Sequence, residues 1–182
     1  MQFLDDSLLP ENQQPLVIQV APYGPEFLPS DSDDIPVTMD QQIQKAVDCW
    51  NAGATVLHVH CRENNGQGSK RLSVFNEMLA RLREAVPDML LQVGGSISFA
   101  PEGEGSDAKW LSDDTRHMLA ELTPAPDQVT IAINTNQMNI CELLGADDVA
   151  GTSLALPAYQ AAYSEMTIPS GPAFVAEHLR RL

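Results

Sequence analysis

Apolar and polar positions along the chain keep two periods in turn. Short β-branched runs of period two are followed by longer stretches of period 3.6, and the pair recurs four times. Residues 16–21 read as the first strand. The loop 22–36, which carries Pro22, Pro25, Pro29 and Pro36, leads into a helix over 38–52. Thr38 with Gln41 three residues later predicts a capping box, and Gly53 a C-terminal stop. Ile43, Ala46, Val47 and Trp50 form the apolar stripe of that helix. Residues 54–62 are the second strand. Its helix begins near Ser73, carries Phe75, Met78, Leu79, Leu82 and Val86 at helical spacing, and stops at Pro87.

The third strand is expected over 89–93, before Gly94-Gly95-Ser96 and a Gly- and Glu-rich loop to about Trp110. Ser112 then caps a helix with Asp113 and Asp114 in its first turn and Met118, Leu119 and Leu122 on its buried face. Residues 128–134 are the fourth strand. An irregular stretch follows to Pro169, with a short helix near Gln160. A last helix runs from Pro172 to Leu182 with Phe174, Val175 and Leu179 inward. His117 and His178, on the last two long helices, read as surface or interfacial residues.

Repeated strand–helix units imply a parallel sheet covered by helices, in one domain over 1–182. Two α/β architectures compete, an open doubly wound sheet and a (β/α)8 TIM-type barrel. The alternation of side chains gives each strand one apolar face and one face with polar groups toward its C-terminal end. The polar faces carry Gln19; His58, His60 and Arg62; Gln92, Gly94 and Ser96; Thr130, Ala132 and Asn134. Polar groups converging at strand C-termini favour the barrel, which builds its active site there. An open sheet also places ligands at that end.

Charge narrows the partners. A formal net charge of −15 argues against nucleic acid and against an anionic membrane surface. The N-terminal 15 residues, acidic and rich in Gln and Pro, do not resemble a signal peptide, and no apolar run approaches a membrane span. Cys49, Cys61 and Cys141 lack metal-type spacing and read as reduced thiols of a cytoplasmic protein. Gly94-Gly95 follows a strand without the third glycine of a dinucleotide loop and reads as a tight approach of backbone.

The sharpest chemistry is the pair His58 and His60. At i and i+2 on one strand, both imidazoles face the same way, with Arg62 beyond them, while Cys61 points to the opposite side. Two such imidazoles can bind a transition metal, zinc most plausibly; the alternative is a pair of hydrogen-bonded core histidines. A zinc site needs a third protein ligand, which the pair does not identify.

The stretch Ala52-Gly53-Ala54-Thr55-Val56-Leu57-His58-Val59-His60-Cys61-Arg62-Glu63, followed by Gly66, Ser69, Arg71-Leu72 and Phe75, resembles the β-keto acid cleavage enzyme family. The resemblance extends to Ala21-Pro22-Tyr23-Gly24-Pro25-Glu26, Pro36-Val37-Thr38, Val86-Pro87-Asp88 and Pro126-Asp127-Gln128-Val129-Thr130. It implies a zinc-dependent (β/α)8 acyltransferase, in which a β-keto acid and acetyl-CoA become acetoacetate and a new CoA thioester. It implies that His58 and His60 are zinc ligands and that Glu26 and Thr130 contact substrate. Arg62 and Glu63 match a pair expected to be structural or to support the ligands. A family serine at the end of the third strand falls on Gly94 in ungapped register, with Ser96 as the alternative.

The family's third zinc ligand, a glutamate, and its Asp-Arg catalytic dyad have no counterpart here. The resemblance places them, and with them the catalytic base, beyond Leu182. Glu165, Glu177 and Asp148 lie in the wrong segments. The resemblance therefore covers about the first four strand–helix units, an N-terminal half-barrel. Such a half is expected to expose two edge strands and to need a C-terminal half-barrel partner or a homo-oligomer. Two other functions compete: a metal-dependent hydrolase of a related barrel, and a non-catalytic half-barrel binding subunit.

Overall fold

The computed structural model describes residues 16–22, 24, 27–95, 99–110, 112–133, 136–164 and 166–182. In chain order the elements are β1 (Gln19–Val20), α1 (Met39–Asn51), β2 (Val56–Val59), β3 (Cys61–Arg62), β4 (Gly68–Ser69), α2 (Leu72–Ala85) and β5 (Leu90–Gly95). They continue with β6 (Phe99–Ala100), β7 (Lys109–Trp110), α3 (Asp113–Arg116), β8 (Gln128–Ile131) and β9 (Asn136–Met138). The last are α4 (Ala146–Val149), α5 (Pro157–Ser164), β10 (Met166–Ile168) and α6 (Pro172–Arg181).

The main sheet is parallel, with order β1-β2-β5-β8. Order in space follows order in sequence. A doubly wound sheet reverses at a switch point; none of these four strands does. The sheet is open among the described residues, so an α/β fold with a parallel sheet is established and a closed barrel is not. No described helix is long and apolar enough to cross a membrane.

Period two sorts the sheet's faces. Leu57, Val59, Cys61, Leu91 and Val93 point into the main core, where Phe75, Met78, Leu79 and Leu82 of α2 and Ala46 of α1 meet them. Full burial of such a side chain stabilises by about 1.5–3 kcal/mol. Cys61 is buried in this core, on the side opposite the histidines, and all three cysteines are free thiols. The other face is partly open: Leu90 is 42% exposed and Gln128 and Thr130 are exposed.

Caps and clips set the element boundaries. Gln41 N–H donates to Thr38 Oγ1 at 3.2 Å while Thr38 N–H donates to Gln41 Oε1 at 3.0 Å, the reciprocal box expected for α1. Gly53, at φ +100°, turns the chain out of α1. Asp127 pins β8 to β5: its N–H donates to Leu91 O at 2.9 Å and its Oδ2 accepts from Leu91 N–H at 2.8 Å. Arg83 of α2 pairs with the same carboxylate.

Several expectations need correction. The second strand divides into β2 and β3, because Cys61 and Arg62 leave the sheet to pair antiparallel with Ser69 and Gly68. The first and fourth strands are shorter than expected, Gln19–Val20 and Gln128–Ile131; Asn134 lies outside the described residues. The helix after Ser112 is α3 followed by a 3₁₀ turn over Met118–Glu121, which still buries Met118 and Leu119. The stretch before Pro169 contains the antiparallel pair β9–β10 as well as the expected helix near Gln160. A second core gathers there, with Leu28, Tyr159, Tyr163, Met166 and Ile168, and edge-to-face contacts link Phe99 with Trp110 and Tyr159. The last helix, expected to include Leu182, ends at Arg181. Leu182 is its C-cap: its N–H closes the final turn on His178 O at 3.2 Å, while its side chain is exposed.

Of the two placements expected for His117 and His178, surface or interfacial, the structure shows the interfacial one. They are 4% and 1% exposed, and their Nδ1 atoms lie 3.0 Å apart. Phe174 stacks on His117, and the Arg116 guanidinium lies over the Phe174 ring at 3.9 Å. Leu179, expected inward, is 60% exposed: α6 docks through its histidine instead.

Burial holds the pKa of both imidazoles below the ordinary 6.5, with the positive charge of Arg181 adding for His117 and His117 itself for His178. The unfolded chain therefore binds more protons than the folded one just below that value, and stability rises with pH there. The melting temperature should be level above about pH 6.5 and fall as the pH drops toward about 5. His178→Leu should lessen that slope in thermal melts followed by circular dichroism; an unchanged slope would show that the pair does not titrate with folding.

Candidate functional site

The open face of the sheet carries a continuous polar ladder. Gln19 Nε2 donates to Gln92 Oε1 at 2.8 Å, and Gln92 Nε2 donates to Gln128 Oε1 at 2.9 Å. The same Gln92 Oε1 lies 2.7 Å from His58 Nδ1. All four strands of the sheet contribute one member: Gln19 from β1, His58 from β2, Gln92 from β5 and Gln128 from β8. Parallel register produces it, since His58 pairs with Gln92 and Gln92 with Gln128 across adjacent strands.

An amide oxygen only accepts, so His58 Nδ1 carries the proton and donates it to Gln92. The lone pair is then left on Nε2. That edge of the ring lies over Gly94. A Cβ built on Gly94 would stand 3.1 Å from His58 Cε1, 3.4 Å from its Nε2 and 3.1 Å from Thr130 Oγ1. Gly94 is thus the floor between His58 and Thr130, and its missing side chain is what lets the two converge.

His60, two residues on, shares the face. Its ring centroid is 4.8 Å from that of His58 in an edge-to-face arrangement. It is 8% exposed, and its Nδ1 is buried without a hydrogen-bond partner among the described residues. Burial pushes its pKa down to about 3, with the charges of Lys70, His58 and Arg62 adding to the effect. His60 is therefore neutral at ordinary pH, the form in which an imidazole donates a lone pair.

Arg62 supports the site from behind. Its guanidinium, 6% exposed, donates to three backbone carbonyls: Phe27 O at 2.5 Å, Gly66 O at 2.6 Å and Gly24 O at 2.9 Å. It ties the loop after β1 to the turn of the β3–β4 hairpin. Gly66, at φ +84°, is needed in that turn, where a Cβ would strike Pro29 Cγ at 2.5 Å. Glu63 accepts two hydrogen bonds from Arg71, at 2.8 and 2.6 Å, and this pairing lowers its pKa. Lys70, buried, lies 5.1 Å from the centre of the Phe75 ring.

The structure thus brings together His58, His60, Gly94 and Thr130, with Arg62 beneath. Glu26 and Ser96 lie outside the described residues. Gln19, Gln92 and Gln128 were legible only as polar positions on strands; their role rests on register, which a single strand's pattern does not carry. No group of three His, Cys, Asp or Glu side chains among the described residues is placed to hold a metal.

Arg62 makes a direct prediction. Arg62→Met should leave three carbonyls, buried or partly buried, without their donor and cost about 3 kcal/mol in urea unfolding. Arg62→Lys should not restore it, because one ammonium cannot reproduce the planar fork. A loss well under about 1 kcal/mol would show that water replaces the guanidinium.

The comparisons with known proteins can be set beside this geometry. The family described as beta-keto acid cleavage enzyme matches residues 15–182. The chain is 29% identical over 89 residues to a 3-keto-5-aminohexanoate cleavage enzyme of Acetoanaerobium sticklandii, covering 48% of this chain and 33% of that protein. It is 28% identical over 101 residues to a 3-oxoadipate:acetyl-CoA acetyltransferase of Cupriavidus necator, covering 49% and 36%. It is 35% identical over 75 residues to a 3-dehydrocarnitine:acetyl-CoA trimethylamine transferase of Rhizobium meliloti, covering 38% and 25%. The aligned stretches therefore span about a third or less of these relatives.

Proposed function

Because the chain belongs to the β-keto acid cleavage enzyme family, we propose that it supplies the metal-binding half of a zinc-dependent acyltransferase. That enzyme converts a β-keto acid and acetyl-CoA into acetoacetate and a new acyl-CoA. The observation that carries this reading is the pair of imidazoles at the C-terminal end of a parallel strand: His58, whose Nδ1 is engaged by Gln92, and His60, whose buried Nδ1 has no hydrogen-bond partner among the described residues. These donors fit a zinc ion in type and protonation state. Bound zinc supplies Lewis acidity toward the keto and carboxylate oxygens of the acid.

The chain's own residues do the rest of what this half contributes. His58 and His60 hold the ion. Gly94 keeps the floor beside His58 clear, so the acid's carbon chain can lie close to the backbone. Thr130 offers a hydroxyl across that floor to orient the bound acid. Arg62 holds the loop segment flanked by Gly24 and Phe27, and Glu26, between them in sequence, contacts the substrate's polar substituent. The three relatives are named for a keto acid or a carnitine derivative, and two of the names include acetyl-CoA.

The same reading makes the site a half-site. Two histidines leave the ion short of the three protein ligands usual in catalytic zinc sites. Among the described residues the sheet also ends in two edges, β1 and β8, with Leu90 exposed on the open face. Further strands, from a C-terminal half-barrel or from a second copy, close the (β/α)8 barrel and bring the remaining carboxylate ligand and the base.

His58→Ala/His60→Ala should abolish zinc uptake while leaving the far-ultraviolet circular dichroism spectrum unchanged; retained stoichiometric zinc in the double variant would remove the assignment. Gly94→Ala should weaken zinc binding by roughly tenfold with little change in melting temperature, since its Cβ presses on His58 rather than on the core. Acetoacetate release should require the complementing half, and full activity in residues 1–182 as a monomer would overturn the half-site reading.

A further inference from the structure

We infer that Gln92 is a positioning residue that sets which nitrogen of His58 carries its proton, through an amide ladder whose three members can change sense only together. The inference rests on the reading of His58 as a metal ligand and adds to it the device that keeps the ligating atom available.

An isolated imidazole can place its proton on either nitrogen. At His58 the choice is tied to the sense of Gln92. With Oε1 toward His58, Nδ1 must be protonated and Nε2 bears the lone pair over Gly94. With the amide reversed, Nε2 of Gln92 would donate to Nδ1, and the proton would move to the His58 nitrogen that faces the site. That tautomer presents a hydrogen where a ligand atom is needed.

The sense of Gln92 is not free to change alone. Its Oε1 also accepts from Gln19, and its Nε2 donates to Gln128. Reversing Gln92 alone would set two amide NH₂ groups against each other at Gln19 and two carbonyl oxygens against each other at Gln128. Avoiding both contacts requires all three amides to turn together, across three strands of the sheet. Chains of hydrogen bonds polarise one another in one direction. The ladder therefore couples the protonation of one ring nitrogen to side chains on the other three strands. It also explains why neutral amides stand here: they keep the ladder uncharged on a face where His60 is already buried beside Arg62 and Lys70.

The test is nitrogen NMR of the His58 ring in the metal-free full chain, assigned against His58→Gln, together with zinc titration. The wild type should show Nδ1 protonated and Nε2 bare. Gln92→Leu should lose that preference and weaken zinc binding roughly 10- to 100-fold, with an otherwise superposable amide spectrum. Gln92→Glu, which keeps an acceptor on Nδ1, should retain the tautomer and bind zinc within a few-fold of wild type. Should Gln92→Leu fail to fold, Gln128→Leu serves instead: it removes one of the two contacts that oppose reversal of Gln92 and should give a mixture of tautomers. A wild-type ring protonated on Nε2, or a tautomer indifferent to both leucine variants, would overturn the inference. A wild type that shows Nδ1–H yet takes up no zinc would leave the ladder standing and defeat the metal reading alone.

Discussion

Phe75, Met78, Leu79 and Leu82 of α2 are wholly excluded from water, and so are Leu57, Val59, Leu91 and Val93 of the sheet they cover. This contact governs the rest of the molecule. A strand has only two faces, so committing odd-numbered residues of β2 and β5 to the core commits His58, His60, Gln92 and Gly94 to the other side. A slip of one residue would bury the imidazoles under α2 and put leucines where the ladder runs. The polar face is thus held in register by apolar packing that touches none of its functional atoms.

On that face, neutral polar groups are arranged so that few charges must be buried. The glutamine ladder satisfies its members pairwise, and His60 is kept neutral by burial. The Arg62 guanidinium donates to three backbone carbonyls, which accept its hydrogen bonds. Carboxylates near the site are few among the described residues, and Glu63 is occupied by Arg71. Among the described residues, a divalent ion brought to His58 and His60 would therefore meet imidazoles with no third His, Cys, Asp or Glu ligand beside them.

The second core solves a different problem. Residues 99–110 and 136–168 contain no long amphipathic element, yet Phe99, Trp110, Tyr159 and Tyr163 hold them together by edge-to-face contacts. Leu28 belongs to this cluster, and Ser153 N–H donates to Asp31 Oδ1. The cluster thus packs against the loop that Arg62 anchors, through Leu28 next to the anchored Phe27. His117 and His178 fasten α6 in turn by a buried imidazole pair, so the last helix is held by polar contact as much as by its apolar stripe.

The sequence by itself determined the strand–helix repeat, the capping of α1, the apolar stripe of α2, the two-faced character of the strands and the placement of His58 and His60 on one face. These follow from local periodicity and from side-chain chemistry, which need no partner to express themselves. The family was also legible, because its central motif is contiguous along one strand. Tertiary structure alone decided the rest. It joined Gln19, Gln92 and Gln128 into one ladder, because cross-strand register depends on packing between elements distant in sequence. It showed Gly94 as the gap between His58 and Thr130, since a missing Cβ has meaning only against the neighbours it would strike. It turned Arg62 toward three carbonyls, and it buried His117 and His178 against each other, deciding between the surface and interfacial positions the sequence left open. In most of these cases the deciding atoms lie tens of residues apart, and no local pattern records that they meet.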